Sequence, residues 1–294
     1  MSSTSSTATE LAAAGRSGHR ARKRFGQHFL VDAGVVHAIV EAIAPRAGQL
    51  IVKIGPGRAA LTDALLERID SLQAIEIDRD LAARLRRHYP ASQLRLHEAD
   101  ALDFDFAKAL DDAKVQADTK ARDGAAPTAG NPKRLRVVGN LPYNVSSPLL
   151  VRLLDFRALI DDQHFMLQKE VVDRIVAAPG SSDYGRLSVL MQAHLYCDSL
   201  FEVPPTAFDP PPRVDSAVVR MIVRRDRETE DPGPLQQLLA VAFGQRRKML
   251  RGTLLPWLAE RGVDADELAP TARAEDIDVE TWRRLAARLV AAGG

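Results

Sequence analysis

Four consecutive residues, Asn140-Leu141-Pro142-Tyr143, carry groups suited to holding an aromatic amine. The side-chain oxygen of Asn140 and the backbone carbonyl of Leu141 can each accept one N–H of an adenine amino group. Together they would turn this delocalised, weakly nucleophilic nitrogen toward tetrahedral geometry. Pro142 fixes φ and so aims the preceding carbonyl, and the ring of Tyr143 offers a face for a base to stack on. The turn therefore indicates chemistry on an adenine amine, although an Asn-Pro turn with a packed tyrosine is the alternative.

The residues on either side predict the elements that position this turn. Val137 and Val138 end a buried strand at Gly139, and Ser146-Ser147-Pro148 opens an apolar helical run. We expect a helix with a serine cap and a proline at its first position. In an α/β sheet such a strand-to-helix turn lies at the carboxyl edge, where ligands bind.

Three further predicted strands also end in residues of the kind that bind ligands. Gly55 and Gly57 follow the first strand, where they let a ligand approach the backbone at the start of a helix. Glu76 ends the next strand 21 residues after Gly55. That spacing matches a carboxylate that binds ribose hydroxyls in a Rossmann-like site. Asp100 follows the third strand, so we expect one site at the sheet edge, with surface acids as the alternative.

Two other segments could cover such a site. His28 lies beside two phenylalanines in an N-terminal segment that is either packed or acts as a lid. The proline-rich segment 204–213 is stiff and would hold Phe208 at a fixed place. Phe208 is either a plug of the core or a second ring on which a base stacks.

Composition limits the possible classes of protein. The 294 residues predict one large and one small domain. The single cysteine, Cys197, excludes an internal disulfide framework or a cysteine-based metal cluster and suits a reducing compartment. No apolar run approaches the length that spans a membrane. We expect a cytoplasmic monomer that uses no metal and has no membrane partner.

The formal net charge of +1 hides a segregated distribution. Residues 264–280 hold seven acids and one arginine. Two basic clusters without acids predict contacts with nucleic-acid phosphates, and a solvated surface is the alternative. Their cations are Arg22, Lys23 and Arg24 in the first cluster and Arg246, Arg247, Lys248 and Arg251 in the second.

Changes in composition and in the predicted secondary structure divide the chain. Residues 1–20 predict a disordered tail, and 21–226 alternate strands and helices as in an α/β catalytic domain. Within that domain, 111–133 lose the pattern and predict a mobile insertion. Residues 227–294 are helical in pattern, which predicts a small all-helical domain.

With these motifs in hand, the chain resembles the KsgA-type rRNA adenine N6-dimethyltransferases from about residue 22 to residue 291, outside the insertion. The resemblance rests on six segments, namely Arg24-Phe25-Gly26-Gln27-His28-Phe29-Leu30, Ile54-Gly55-Pro56-Gly57, Ile75-Glu76-Ile77-Asp78, Gly139-Asn140-Leu141-Pro142-Tyr143, Pro210-Pro211-Pro212-Arg213-Val214-Asp215-Ser216 and Phe243-Gly244-Gln245-Arg246-Arg247-Lys248.

The resemblance implies a function and a fold. S-adenosylmethionine would be the methyl donor, and the targets would be two adjacent adenines near the 3′ end of small-subunit (16S) rRNA. Each adenine would be dimethylated late in assembly of the small ribosomal subunit. The implied fold is a Rossmann-like seven-stranded sheet with a reversed final strand, followed by a small helical rRNA-binding domain.

The resemblance also implies a role for each matching residue. Gly55 and Gly57 would bring the backbone to the methionine part of the donor. Glu76 would take the ribose hydroxyls, and Asp100 the adenine amino group. The remaining donor contacts would come from His28 and Leu30, which close over the donor, and from Asn140, which lies between donor and target. No metal or general base is required, because the sulfonium is a good leaving group and water can take the proton.

Two positions depart from the family pattern. His28 stands where the family often has asparagine, and an imidazole can still donate or accept a hydrogen bond. Lys53 stands where family members usually carry an acid. A cation near the donor's ammonium and sulfonium predicts weak donor binding, and Lys53→Glu should strengthen it. Lys53 also motivates the alternative of a catalytically impaired, RNA-binding ribosome-assembly factor with the same fold.

Two other enzyme classes fit less well. The large-subunit rRNA methyltransferases that confer macrolide resistance share the sheet and a similar turn. The proline-rich segment 204–213 and the second basic cluster argue against that class. DNA adenine methyltransferases usually carry Asp/Asn-Pro-Pro-Tyr, so Leu141 argues against them.

Overall fold

The computed structural model describes residues 28–113, 134–245 and 248–293. The strands in these ranges are β1 (Phe29–Leu30), β2 (Leu50–Ile54), β3 (Leu72–Glu76), β4 (Leu94–Glu98), β5 (Leu135–Asn140), β6 (Ile160–Gln168), β7 (Leu195–Val203), β8 (Phe208–Asp209) and β9 (Ser216–Val223). The helices are α1 (Ala33–Ile43), α2 (Ala60–Leu66), α3 (Arg79–His88), α4 (residues 106–113), α5 (Ser146–Leu154), α6 (Lys169–Val176), α7 (Arg186–His194), α8 (Gly233–Phe243), α9 (Leu254–Ala259) and α10 (Val279–Gly293).

Seven of the strands form one sheet in the order β4-β3-β2-β5-β6-β9-β7. The five strands from β4 to β6 are parallel to one another. β9 runs antiparallel to both β6 and β7. The expected seven-stranded Rossmann-like sheet with a reversed final strand is therefore confirmed.

The central strands are apolar on both faces because helices cover both. In β2, Val52 and Ile54 pack in one core and Ile51 in the other, as the alternation of a strand requires. Helices α1, α2 and α3 bury their apolar sides with Ile51, and α5, α6 and α7 with Val52. The sheet thus lies between two helical layers.

The helical C-terminal part shares the core on one side of the sheet. Leu238 of α8 and Trp282 of α10 are fully buried in the same cluster as Val52 and the α7 residue Leu190. This confirms a helical part after the sheet. The domain boundary at residue 227 stays a prediction, because the packing continues across it.

A second, two-stranded sheet joins the N-terminal segment to the proline-rich segment. β1 pairs antiparallel with β8, so that Phe29 faces Asp209 and Leu30 faces Phe208. The backbone N–H of Val31 donates to the carbonyl of Ala207 at 2.9 Å and extends the contact. The sequence did not predict this pairing, because two-residue strands have no measurable periodicity.

Two local predictions were wrong. The residue that caps α5 is Val145, and Ser146 is already in the helix, with its hydroxyl donating to the carbonyl of Tyr143 at 3.2 Å. Pro148 is therefore the third helical residue, not the first. The predicted insertion also begins too early, because α4 extends through residue 113. The rest of that insertion, 114–133, and the predicted tail, 1–20, lie outside the described residues.

Ala44 ends α1 in the left-handed region, with φ 47° and ψ 57°, and its side chain is exposed. This backbone conformation costs an L-residue roughly 1–2 kcal/mol, whereas glycine adopts it freely. Ala44→Gly should therefore raise the free energy of unfolding by about 0.5–1 kcal/mol, since part of the gain is lost to the greater freedom of the unfolded chain.

Ala42→Gly is the matched control, because Ala42 lies in the last turn of the same helix. Glycine at that position should lower the free energy of unfolding by about 1 kcal/mol. Urea denaturation of both variants checks the pair, and a loss of stability in both would contradict the strain assigned to Ala44.

Candidate functional site

One cavity lies at the carboxyl ends of the central strands β3, β2 and β5. Nine of the residues predicted for the site line it, namely His28, Leu30, Gly55, Gly57, Glu76, Asn140, Leu141, Pro142 and Tyr143. The N-terminal segment that carries β1 covers one side of the cavity. The structure thus brings together, at one sheet edge, residues separated by more than a hundred positions in sequence.

The glycine turn after β2 has a backbone conformation that glycine adopts readily. Gly55 and Gly57 have φ of 62° and 56°, in the left-handed region that favours glycine. The N–H of Gly55 donates to the carbonyl of Ile75 at 2.9 Å, which ties the turn to β3. A Cβ at Gly57 would lie 3.2 Å from the ring of Phe29. The turn therefore leaves bare backbone facing the cavity.

Glu76 is a buried carboxylate fixed by the backbone. One of its oxygens accepts the N–H of Gly57 at 3.2 Å, and the other accepts that of Asp78 at 2.9 Å. Burial raises the pKa of the Glu76 carboxyl, while these two N–H groups and the Lys53 ammonium act in the opposite direction. Each oxygen retains a second lone pair, so the anchored carboxylate can still accept hydroxyl donors.

Asn140 has its amide group oriented by a backbone contact. Its Nδ2 donates to the carbonyl of His28 at 3.0 Å. The backbone N–H of Leu141 donates to the carbonyl of Met166 at 3.2 Å, which holds the turn against β6. With the nitrogen of the amide engaged, Oδ1 of Asn140 is the atom of this side chain that can accept a hydrogen bond from a ligand.

His28 and Tyr143 form the side wall of the cavity. Their rings are stacked, with centroids 5.6 Å apart and planes at 26°. Nδ1 of His28 donates to the carbonyl of Pro210 at 2.8 Å, and the hydroxyl of Tyr143 bonds to that of Ser216 at 2.9 Å. These contacts fix the ring of His28 to the segment between β8 and β9, and the ring of Tyr143 to the first residue of β9.

Lys53 points into the cavity and away from solvent. Its side chain is only 2% exposed, and its Nζ donates to the carbonyl of Gly55 at 3.0 Å. Burial lowers the pKa of Lys53 to about 8, and the nearby carboxylate of Glu76 opposes that shift. The expectation that a cation stands at this edge of the site is therefore met by the geometry.

The structure places two predicted site residues elsewhere. Phe208 is 4% exposed, packs in the core beneath β1 and does not line the cavity, so the core-plug interpretation describes it and the base-stacking role does not. Asp100 accepts the backbone N–H of Leu102 at 2.9 Å and also lies outside the cavity lining. Its contact with a donor adenine stays a prediction.

Sequence reasoning missed one residue of the cavity lining and one neighbour of that lining. Ile77, next to Glu76, is 45% exposed and offers an apolar surface beside a carboxylate. Arg58 lines the cavity, lies 4.4 Å over the ring of Phe29 and pairs with Asp209 at 2.9 Å. An exposed isoleucine after an acid could have been noticed, whereas the Arg58 contacts depend on the unpredicted pairing of β1 with β8.

The basic clusters are only partly visible. Arg22, Lys23, Arg24, Arg246 and Arg247 lie outside the described residues. Lys248 and Arg251 are exposed between α8 and α9. Acids of the segment 264–280 are paired within the helical part, where Glu267 contacts Arg284 at 2.8 Å and Arg288 at 3.0 Å. These contacts neutralise Glu267, which would otherwise oppose an approaching polyanion.

Neither a metal centre nor a membrane span is found in the described ranges. No three histidine, cysteine or acidic side chains among residues 28–113, 134–245 and 248–293 are grouped so that they could hold a metal ion. No helix in the same ranges is long and apolar enough to cross a membrane.

Comparison with known proteins agrees with this geometry. The sequence model described as ribosomal RNA adenine dimethylase matches residues 18–290. The chain belongs to the ribosomal RNA adenine dimethylase family. The match takes in the cavity lining, the proline-rich segment and most of the helical part.

Curated relatives within this dimethylase family are similar over nearly their whole length. The ribosomal RNA small subunit methyltransferase A of Bordetella petrii is 54% identical over 277 residues, covering 94% of this chain and 97% of the relative. The protein of the same name from Thiobacillus denitrificans is 49% identical over 273 residues, covering 92% and 98%.

Two solved structures share the fold of this chain. A dimethyladenosine transferase from Plasmodium falciparum superposes with a TM-score of 0.70 at 22% identity, covering 90% of this chain and 98% of that one. The 23S rRNA methyltransferase ErmE gives a TM-score of 0.61 at 23% identity, covering 89% and 99%. At these identities the structures support the fold alone.

A substitution at Gly139 tests how closely β2 and β5 approach each other. A Cβ at this position would lie 2.7 Å from the carbonyl oxygen of Ile54, a backbone atom that cannot rotate away, and 3.2 Å from Leu141. Gly139→Ala should therefore separate β2 from β5 and lower the free energy of unfolding by about 1–3 kcal/mol.

Gly252→Ala is the control, because nothing lies within 4 Å of a Cβ built there. Urea midpoints should fall for Gly139→Ala and stay near that of the parent protein for Gly252→Ala. Equal midpoints for the two variants would contradict the close approach of β2 and β5.

Proposed function

We propose that this chain transfers methyl groups from S-adenosylmethionine to N6 of two adjacent adenines near the 3′ end of small-subunit (16S) rRNA, giving dimethyladenosines during late subunit assembly. Membership of the dimethylase family and the names of the close relatives support this assignment. The observation that carries it is the hydrogen bond from Asn140 Nδ2 to the His28 carbonyl, because it leaves an acceptor oxygen for an amine.

The donor side of the cavity fits an S-adenosyl group. Bare backbone at Gly55 and Gly57 would accommodate the methionine part, and the anchored carboxylate of Glu76 would accept the ribose hydroxyls. The exposed side chain of Ile77 offers an apolar surface for the adenine ring. Asp100, at the end of β4, is the proposed partner of the adenine amino group. His28 and Leu30 would cover the donor from the N-terminal segment.

The target side of the cavity fits an adenine amine. Oδ1 of Asn140 and the carbonyl of Leu141 would accept its two N–H groups, and Tyr143 would stack on the base. The amine nitrogen then forms a bond to the methyl carbon while the carbon–sulfur bond breaks, leaving a neutral thioether. The proton released from nitrogen goes to water. Positioning of the amine and exclusion of bulk water carry the rate.

The rRNA contacts are assigned to the two basic clusters. The N-terminal cations Arg22, Lys23 and Arg24 precede the lid segment, and Arg246, Arg247, Lys248 and Arg251 lie in the helical part. We assign 21–226 to catalysis and 227–294 to rRNA binding, in a cytoplasmic monomer. Exposure of Lys248 and Arg251 and the internal pairing of the nearby acids support this division of labour.

The position of Lys53 favours a second function, that of an assembly factor with an impaired donor site. Its buried ammonium stands in the donor part of the cavity. Relatives named as methyltransferases at 49–54% identity favour the enzyme over this alternative.

One assay decides among the candidate substrates. The protein is incubated with S-adenosylmethionine labelled in its methyl group and with undermethylated small subunits, large subunits or DNA. Label should enter only the small-subunit rRNA, as dimethyladenosine. Label in large subunits or DNA would reassign the substrate, and binding without incorporation would favour the assembly factor.

Asn140→Ala should reduce methyl transfer by about 10²–10³-fold, because a positioned polar group at a reacting centre typically contributes that much. Donor affinity should change much less than the rate, since the acceptor oxygen of Asn140 acts on the amine. The measurements are single-turnover methylation of small subunits and calorimetric titration with S-adenosylmethionine.

Asn144→Ala provides the matched control, because Asn144 belongs to the same turn but is exposed and does not line the cavity. Its turnover should be close to that of the parent protein. If Asn140→Ala also turned over normally on small subunits, Asn140 would have no part in the mechanism.

Replacing Arg246, Arg247 and Lys248 together by alanine should weaken binding to small subunits and flatten its salt dependence. Each lost phosphate contact should lower the log–log slope of affinity against salt by about 0.7–0.9. Filter binding across a salt series measures the slope, with Arg68→Ala as a control that removes an exposed arginine of the sheet part, paired with Glu41. A slope equal to that of the parent protein would identify the cluster as a solvated surface.

A further inference from the structure

Lys53 occupies the middle of the site. In the sheet it lies between Ala74 of β3 and Val138 of β5, its partners in register. β3 ends in Glu76 and β5 in Asn140, so the central strand β2 separates the ribose-binding side of the cavity from the amine-binding side. Lys53 is buried there and is held by its hydrogen bond to the Gly55 carbonyl.

The order of these strands decides which part of the donor approaches Lys53. On the proposed function, the ribose lies by Glu76 and the transferred methyl by Asn140. The two strands are separated by two inter-strand spacings, roughly 10 Å. The sulfur of the donor lies between its ribose and its methyl group, so it must cross the end of β2, where the Lys53 ammonium is held.

Donor and product differ in charge at that atom alone. S-adenosylmethionine carries a sulfonium, and its demethylated product, S-adenosylhomocysteine, carries a neutral thioether. The amino acid end and the adenosine are common to both ligands, so their interactions cancel when the two affinities are compared. The ratio of the affinities therefore reports the charge that the protein places near the sulfur.

We propose that Lys53 sets the selectivity between donor and product, disfavouring the sulfonium relative to the thioether. This inference rests on the proposed function. It makes the chain sensitive to its own product, so that methyl transfer depends on a separate reaction that consumes S-adenosylhomocysteine. An acid at the same position would act in the opposite sense.

Other charged and titratable groups share the cavity with Lys53. Glu76 is the anion that faces it from β3, and Arg58, His28 and Tyr143 come from the glycine turn, the N-terminal segment and the β5 turn. The pKa of Lys53, lowered to about 8 by burial, makes it a cation at pH 7 and largely neutral at pH 9. The selectivity against the donor should accordingly fade as the pH rises through 8.

Calorimetric titration with S-adenosylmethionine and with S-adenosylhomocysteine tests the proposal. In Lys53→Met, the ratio of the donor Kd to the product Kd should fall at least about tenfold, which corresponds to about 1.4 kcal/mol. Lys53→Glu should lower the ratio further. Lys108→Met, which removes an exposed lysine on α4, should leave the ratio unchanged.

A pH series on the parent protein gives a second readout, and the same series on Lys53→Met is its control. The donor-to-product Kd ratio should fall between pH 7 and pH 9, and in Lys53→Met it should depend much less on pH. The variant keeps Glu76, Arg58, His28 and Tyr143, so the difference between the two profiles isolates Lys53.

The outcomes distinguish failure of the role of Lys53 from failure of the proposed function. A ratio that is the same in the parent protein and in Lys53→Met, and flat with pH in both, overturns the role of Lys53 and leaves the proposed function standing. Failure of the parent protein and of both Lys53 variants to bind either ligand overturns the proposed function and this inference with it.

Discussion

The close approach of two parallel strands at their carboxyl ends determines the architecture of the site. Gly139 is the residue that makes this approach possible, since even a methyl group there would lie 2.7 Å from the carbonyl of Ile54. Because β2 and β5 meet so closely, the glycine turn and the Asn-Leu-Pro-Tyr turn open into one cavity. A donor held by one turn and a base held by the other would thereby be brought within reach of direct transfer.

Backbone groups hold the polar side chains of this cavity in place. Two backbone N–H groups donate to Glu76. Backbone carbonyl groups accept hydrogen bonds from the side-chain nitrogens of Asn140, His28 and Lys53. Backbone partners are set by the strands and turns themselves, so the side chains are oriented before any ligand arrives. Such preorganisation suits a reaction without a general base, in which geometry must do most of the catalysis.

The parts of the fold and site that sequence could predict are those with local signals. Buried strands of β-branched residues, glycines at strand ends and the spacing from Gly55 to Glu76 all follow from neighbours in the chain, and parallel pairing then brings the strand ends together. The interactions that sequence could not show are long-range. The pairing of β1 with β8 and the burial of Phe208 depend on partners far away in the chain. Ser147 was misread as the cap because a serine before a proline suits either side of a helix start.

The hydrogen bond between Asn140 and His28 joins residues 112 positions apart, and that between His28 and Pro210 spans 182 positions. Contacts of such high sequence separation have a large loop-closure entropy and form late in folding. They adjoin the two-stranded pairing of β1 with β8, which is separate from the seven-stranded sheet. The orientation of the Asn140 amide thus depends on contacts outside the seven-stranded sheet, so a change that breaks them need not lower the stability of that sheet.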